Sequence, residues 1–430
     1  MKEVKVGIIG FGTVGAGVAA YLLENNSVIA KRTGITLNLI GIADTDIETE
    51  RNVNVPKDIL STDGFALIDK VDVVVELVGG IEVAKKFILR ALEVGKPVVT
   101  ANKALLAEHG EELFAAAEKS EANIYYEASV AGGIPIIKSL REGLVGNRIE
   151  KICGILNGTC NYILTKMEEE KADFDVVLKR AGELGYAEAD PSLDIDGFDT
   201  AHKAVILASL AYGEWFGMDS VYIEGIRNIS LLDIKYAFEL GYKVKMLGII
   251  KKDDDDVQIR VHPALISSDQ LMAGINDVNN GVYVKGFPVG DTLFYGRGAG
   301  MDATSSAVIG DIVDVALNLK YGSHRRVPAF RIGKQFRNLL KMDEIVTRYY
   351  IRAQVSDQVG VFAKISAILS EENISISSLL QKERNLKENS IPIVIITHET
   401  VEENINRAIK RIEQLDTVVG SLRIIRIEDL

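Results

Sequence analysis

The stretch Val4-Lys5-Val6-Gly7-Ile8-Ile9-Gly10-Phe11-Gly12-Thr13-Val14-Gly15 decides the fold. Residues 4–9 are a short apolar run that ends in glycine. From Thr13 to Leu23 the residues Val14, Val18, Tyr21 and Leu22 return at helical spacing, so the stretch reads strand, turn, helix. The turn is a G-x-G-x-x-G. Its first glycine permits a tight turn, its second lets the backbone approach a pyrophosphate, and its third lets the helix pack on the strand with its N-terminus facing the phosphates. In that strand-to-helix setting the pattern predicts a dinucleotide site at Gly10, Phe11, Gly12, Thr13, Val14 and Gly15.

The alternation continues outward. Strands are predicted at Ile35–Ala43, Val71–Leu77, Pro97–Thr100 and Asn123–Glu127, with helices at Glu82–Leu92, closed by Gly95, and Lys103–Glu118. Strand after helix after strand is the pattern of an open parallel α/β sheet, and Val71–Leu77 is apolar enough to be covered on both faces. The acidic residue expected after the second strand is Asp44, whose carboxylate would bind an adenosine ribose and repel a 2′-phosphate, favouring NAD. It follows Gly15 by 29 residues, where about 20 is usual; the surplus is assigned to a longer connection through Lys31-Arg32-Thr33-Gly34. Arg51 could offset that repulsion by meeting a 2′-phosphate, so the choice between NAD and NADP stays open.

Composition bounds the rest. The chain has 430 residues, 47% hydrophobic and 26% charged, which suits about three soluble globular domains and excludes a disordered or collagen-like chain. Lys and Arg number 49 against 61 Asp and Glu, a net charge of −12, which argues against nucleic acid or an anionic membrane as partner. Two cysteines, Cys153 and Cys160, make no disulfide framework and match no metal spacing. The sequence has neither an apolar run of about 18 residues nor a signal peptide at Met1, so a cytoplasmic protein is expected.

Four segments follow: residues 1–130 as the Rossmann-type dinucleotide-binding domain, 131–330 as an α+β substrate-binding and dimerisation domain, 331–348 as a linker, and 349–430 as a terminal unit. In the second, helices are expected at Ile134–Glu142, Asn161–Glu170 and Thr200–Tyr212, with strands near Glu150–Leu156 and Tyr242–Lys251. Asp253-Asp254-Asp255-Asp256 reads as a solvated hairpin tip, and the basic stretch Arg325–Arg348 as a connector. The last 82 residues run strand, helix, strand, strand, helix, strand, the βαββαβ order of a ferredoxin-like unit.

The densest chemical signal is Ala181–Lys203, where Glu188, Asp190, Asp194, Asp196 and Asp199 crowd a loop with three glycines and a proline. A helix then begins near Asp199, and Asp199 and Lys203 share a face at i and i+4. That spacing alone also suits a surface ion pair on a first helical turn. In the functional reading the carboxylates hold a substrate ammonium, and a protonated lysine stabilises and protonates the alkoxide left when hydride reaches an aldehyde. His202 is turned about 100° away around the helix and is expected to pack or to face solvent.

The run Ala181–Lys203 resembles the signature of homoserine dehydrogenases. Gly10–Gly15, Thr100-Ala101-Asn102-Lys103 and Asn157-Gly158-Thr159 with Asn161-Tyr162 are similar to further blocks of that family, in the same order, over about residues 1 to 330. The terminal unit, with Asp357-Gln358-Val359-Gly360-Val361 and Asn373-Ile374, resembles an ACT domain, an amino-acid-sensing module. The resemblance implies interconversion of L-aspartate 4-semialdehyde and L-homoserine with NAD(P)H, a step towards threonine, methionine and isoleucine. It implies Lys203 as proton donor, Asp199 as its active-site neighbour, Glu188 as the group binding the substrate amino group, and Lys103 beside nicotinamide and substrate. Thr100, Gly185 and Gly300 fall on cofactor-facing positions. Oxygens of Glu127, Val130, Gly132 and Ile134 would hold a sodium ion. L-Threonine is the implied effector at the ACT domain, and a homodimer or homotetramer the implied assembly. One departure is Asp44-Thr45-Asp46, where an arginine is expected in NADP-preferring relatives; it favours NAD or dual use.

Two other readings compete. An aspartate-semialdehyde dehydrogenase would need an activated thiolate, for which Cys160 is the candidate. An amino-acid sensor would keep the Rossmann unit only as a vestige.

Overall fold

The structure, a computed structural model, describes residues 2–51, 53–323, 326–331, 338–381 and 390–430. The first sheet is built from β1 (Lys2–Ile9), β2 (Ile35–Ala43), β3 (Leu60–Ser61), β4 (Val73–Glu76), β5 (Val98–Thr100) and β6 (Ile124–Tyr125). All are parallel, in the order β3-β2-β1-β4-β5-β6, the Rossmann arrangement with its crevice between β1 and β4. The connecting helices are α1 (Thr13–Thr33), α2 (Gly64–Ile68), α3 (Glu82–Glu93) and α4 (Lys103–Lys119). Every residue of β4 is buried. Val74 packs with Ala84, Ile88, Leu105 and Leu106 on the face covered by α3 and α4, while Val73 and Val75 pack with α1 on the other, as alternation in a strand requires.

Helix α1 is longer than its apolar spacing suggests. It continues through the polar stretch 24–27 to Thr33, and Gly34 closes it with φ +68°. Asn26 ties it to β2, its amide donating to the Leu37 carbonyl at 2.7 Å. The extra turns account for the wide spacing between Gly15 and Asp44.

The middle of the chain begins with α5 (Ile136–Lys138), β7 (Arg148–Ile155), α6 (Gly158–Glu170), α7 (Phe174–Glu183), α8 (Ser192–Ile195) and α9 (Phe198–Tyr212). It continues through β8 (Tyr222–Ile223), α10 (Leu231–Glu239), β9 (Tyr242–Asp253), β10 (Asp256–Ser267), β11 (Asn279–Phe287), β12 (Gly290–Arg297) and α11 (Met301–Tyr321). The aspartate run is the tip of the β9–β10 hairpin, with Asp253 facing Asp256. The single helix expected at Ile134–Glu142 is instead α5 followed by a π-helical turn, Ser139–Gly143, closed by the Leu144 N–H on the Ser139 carbonyl at 2.7 Å. Helix α11 lies against the first sheet: Val308, Ile312, Val315 and Ala316 share a core with Val6, Ile8 and Val75. Residues 301–321 therefore pack on the dinucleotide-binding domain, although the sequence grouped them with the second.

The terminal unit comprises β14 (Val346–Ser356), α12 (Val361–Glu371), β15 (Ile376–Gln381), β16 (Ser390–Thr397), β17 (Thr400–Val401), α13 (Glu402–Ile412) and β18 (Arg423–Ile427). Its sheet order, β18-β14-β16-β15, is ferredoxin-like. It is joined to the middle domain by more than a tether: β18 pairs in parallel with β10, Ala264 opposite Arg426 and Leu265 opposite Ile427, so one sheet runs β12-β11-β7-β9-β10-β18-β14-β16-β15. Of the expected linker, 332–337 lie outside the described residues, while β13 (Asn338–Leu339) pairs with β10. Among the described residues no helix is long and apolar enough to cross a membrane.

Candidate active site

Helix α9 sets the site. Its body, Ala204-Val205-Ile206-Leu207-Ala208, is buried, so the polar residues of its first turns are drawn into the interior. Asp199 and Lys203 lie one turn apart, 5% and 7% exposed, and Lys203 Nζ donates to Asp199 Oδ2 at 2.7 Å. The surface-pair alternative is thereby removed. Lys203 also donates to the Leu156 carbonyl at 2.6 Å, the backbone just past β7. From the start of α4, Lys103 reaches the other oxygen, Asp199 Oδ1, at 2.9 Å. One buried carboxylate thus holds two ammonium groups.

The two lysines differ electrostatically. The charge of Asp199 raises Lys103, whereas burial lowers Lys203, with Asp199 opposing it. Burial alone would raise the Asp199 carboxyl, but Lys203 and Lys103 outweigh it and hold it well below the usual carboxylate range.

Asn157 caps α6, accepting the Cys160 N–H on its Oδ1 at 2.8 Å. Its amide donates to Asp199 Oδ2 at 2.8 Å and to Asp194 Oδ1 at 2.6 Å. Burial and the nearby Asp199 raise the Asp194 carboxyl. A cavity of about 590 Å³ opens beside these groups, walled by Leu77–Gly80 and Ala101–Lys103 on the dinucleotide side and by Glu188, Asp194, Asp199 and His202 on the other. A cavity of similar size, about 580 Å³, lies between Arg141 and the 326–331 segment and is lined by neither lysine.

Of the residues the sequence singled out, Lys103, Asp199 and Glu188 line this cavity, and Lys203 lies behind its wall, bonded to Asp199. It gave Asn157 no individual role, although an Asn-Gly-Thr between strand and helix is a capping signal, and the Leu156 carbonyl carries no side-chain signal at all. His202, expected to pack or face solvent, lines the cavity; burial lowers it, so it is neutral at pH 7. The Cys160 thiol is fully buried and burial pushes it well above the ordinary cysteine range, the opposite of an activated thiolate.

The glycine turn suits a dinucleotide. An added Cβ on Gly10, whose φ is +104°, would meet the Leu77 carbonyl oxygen at 2.5 Å, and one on Gly15 would meet the Gly10 oxygen at 2.0 Å, while Gly12 has nothing within 4 Å. The outer glycines are needed for packing and Gly12 leaves open the space a pyrophosphate would take. Val14 lines the cavity from the first turn of α1, after Thr13. Gly300, exposed with φ +104°, precedes α11, and Gly185, also exposed, leads towards Glu188. The Thr100 side chain is fully buried and donates to Glu76 at 2.7 Å. The Asp44 carboxylate accepts the N–H groups of Phe11 and Asp46. Arg51 lies 4.6 Å over the Phe11 ring and donates to the Phe11, Thr49 and Asp46 carbonyls.

At the expected cation loop, both carboxylate oxygens of Glu127 are taken, by the N–H groups of Ile137 and Lys138 at 2.8 and 2.7 Å. Burial raises this carboxyl to about 7. Its backbone N–H donates to the buried Asp311 at 2.8 Å. Val130, Gly132 and Ile134 are buried around a turn in which Ala131 and Gly132 both have positive φ.

Family models cover most of the chain. Residues 10–127 match "Homoserine dehydrogenase, NAD binding domain", residues 135–313 match "Homoserine dehydrogenase", and residues 349–417 match "ACT domain". A homoserine dehydrogenase of Neisseria gonorrhoeae is 46% identical over 435 residues, covering 100% of both chains. The crystal structure of a homoserine dehydrogenase from Thiobacillus denitrificans is 43% identical with a TM-score of 0.93, covering 100% of this chain and 99% of that one. A hyperthermophilic archaeal homoserine dehydrogenase mutant in complex with NADPH is 30% identical with a TM-score of 0.61, covering 74% of this chain and 98% of that one.

Proposed function

This chain belongs to the homoserine dehydrogenase family, and from that premise we propose how its residues divide the reduction of L-aspartate 4-semialdehyde to L-homoserine. The bound dinucleotide supplies the hydride. Lys203 gives the proton: an ammonium has three N–H bonds, two are directed at Leu156 and Asp199, and the third serves the aldehyde oxygen. As the carbonyl carbon gains hydride, the oxygen takes this proton and leaves a neutral amine, which water reprotonates. The lowered pKa of Lys203 suits an acid. Lys103, held cationic by Asp199, binds negative charge on the substrate, while Glu188 and Asp194 receive its ammonium. A cavity with a cation on one wall and carboxylates on the other suits a zwitterionic amino acid.

The observation that carries this reading is the pairing of both lysines with Asp199. It is tested by following dinucleotide absorbance with aspartate semialdehyde and, in reverse, with homoserine; a chain that turns over neither is not this enzyme.

For the coenzyme, Asp44 supports NAD, and Arg51, kept beside it, supports acceptance of NADP as well. A sodium ion would be held by the carbonyl oxygens of Glu127, Val130, Gly132 and Ile134, because the Glu127 carboxylate is already spent; neutral oxygens suit a hard monovalent cation. The ACT match supports control by an amino acid, L-threonine in this reading, in a cytoplasmic enzyme of threonine, methionine and isoleucine synthesis. Exposed Phe287, Val289 and Tyr295, in and beside β11 and β12, support assembly as a homodimer or homotetramer.

A further inference from the structure

Glu76 ends the central strand β4 and is 0% exposed. Its side chain leaves the same sheet face as Val74, where α3 and α4 present Ala84, Ile88, Leu105 and Leu106. Both carboxylate oxygens are taken by neutral donors, the Val78 N–H and the Thr100 hydroxyl, each at 2.7 Å. Thr100 Oγ1 in turn accepts the Asn102 N–H at 3.0 Å. The Asn102 amide returns to the Gly80 carbonyl at 2.7 Å and the Val78 carbonyl at 3.4 Å. These bonds close a ring joining the loop after β4 to the loop after β5. Both loops wall the 590 Å³ cavity, and the second ends at Lys103.

Among the described residues no cation answers this charge. Lys103 is paired with Asp199, and Lys85, on α3, with Glu112. Burial therefore raises the Glu76 carboxyl to about 7, the two hydrogen bonds opposing the rise. A carboxyl raised in the fold favours folding while protonated; that contribution is lost as pH climbs from the ordinary glutamate range to about 7. Above that the buried charge is a cost, and proteins retain such costs chiefly where function needs them.

We infer that Glu76 is a positioning residue: its ionised carboxylate clamps the Leu77–Gly80 and Ala101–Lys103 loops in the register that the dinucleotide and Lys103 require. The inference rests on the dehydrogenase reading above and adds to it a group that touches neither substrate nor coenzyme. Protonation would turn one acceptor into a donor facing a donor and open the ring.

The test compares the wild type, Glu76→Gln and Glu76→Asp in the full chain, measuring kcat and KM with aspartate semialdehyde from pH 6 to 9, and melting temperature at pH 8. Positioning errors of this kind cost on the order of tenfold to a hundredfold, so Glu76→Gln should lose at least about tenfold in kcat at pH 8. It should melt no lower than the wild type and lack the wild type's fall in kcat below about pH 7. Glu76→Asp, which keeps the charge, should recover part of the rate. A Glu76→Gln enzyme within twofold of wild-type kcat overturns the inference, as does a rate loss tracking a lower melting temperature with the acid limb unchanged. Should Glu76→Gln not fold, Thr100→Val removes one donor without touching the charge. It should lose kcat at pH 8 and move the acid limb to higher pH, since that bond lowers the carboxyl; a variant within twofold of wild-type kcat with an unmoved limb overturns the inference. A wild type inactive with aspartate semialdehyde would fail the dehydrogenase reading instead.

Discussion

Arg260 on β10 and Glu428, one residue past β18, form a 2.5 Å ion pair in which the side chains are 1% and 0% exposed. Lys251 adds a second cation to the same carboxylate at 3.1 Å, and His262 lies 3.1 Å from Arg260. Burial and the neighbouring Arg426 and Arg260 hold His262 well below the ordinary histidine range, hence neutral. The pair ties the terminal unit to the catalytic half at the point where their strands meet.

Removing one partner from such a pair strands the other in a dry interior. Glu428→Ala should therefore lose about 3–5 kcal/mol of stability, read by chemical denaturation. Burial would raise this carboxyl, but Arg260 and Lys251 outweigh it and hold it below the usual range. The stabilisation is complete above the ordinary glutamate pKa and is lost as pH falls below it. Wild type and variant should thus converge in acid; equal stability at pH 7 would show the pair to be without consequence.

Lys203→Ala should lower turnover by about a hundredfold or more while dinucleotide binding, followed by fluorescence titration, survives. Because burial lowers the Lys203 pKa, aldehyde reduction should decline with rising pH earlier than an ordinary lysine would allow, and homoserine oxidation should rise over the same range. Near-normal turnover in the variant would assign the proton to another group.

Asn157→Ala removes the amide that bridges Asp194 and Asp199. Two carboxylates left facing each other raise each other's pKa, so the variant should lose about tenfold in kcat and gain an acid limb in its pH profile. An unchanged profile would confine Asn157 to capping α6.

Asp44→Ser should shift the ratio of kcat/KM for NADPH over NADH upward by about tenfold, since it removes a like charge from the place where a 2′-phosphate would lie. Arg51→Ala should shift the same ratio down. A ratio indifferent to both would move coenzyme choice to other residues.

Added L-threonine should inhibit the full chain, and Arg260→Ala, which loosens the junction without entering the active-site cavity, should weaken that inhibition. Steady-state rates across a threonine series read both effects. Absence of inhibition in the wild type would remove threonine as the effector.

What the sequence made legible was what is local. The glycine turn, the alternation of strands and helices and the βαββαβ order are set by spacings of a few residues, and they hold. The Asp199–Lys203 pair was legible because the two residues share a helix; its burial was not, since that depends on α9 lying inside the fold. Glu76 read as one polar residue in an apolar strand because its ring closes through residues up to 26 positions away. The packing of α11 on the first sheet was hidden for the same reason: its apolar stripe is visible in the sequence, but the sheet it covers is not. The pairing of β10 with β18 joins residues about 160 positions apart and leaves no local trace.

That pairing also limits how the chain can be divided. An enzyme cut before Tyr349 would bare an edge of β10 at Ala264 and Leu265 and leave Arg260 without its carboxylate, so a truncated form would be prone to edge-to-edge association. Exchange of sensing modules between enzymes of this architecture therefore has to carry over the final strand and its closing glutamate, or supply a substitute for both.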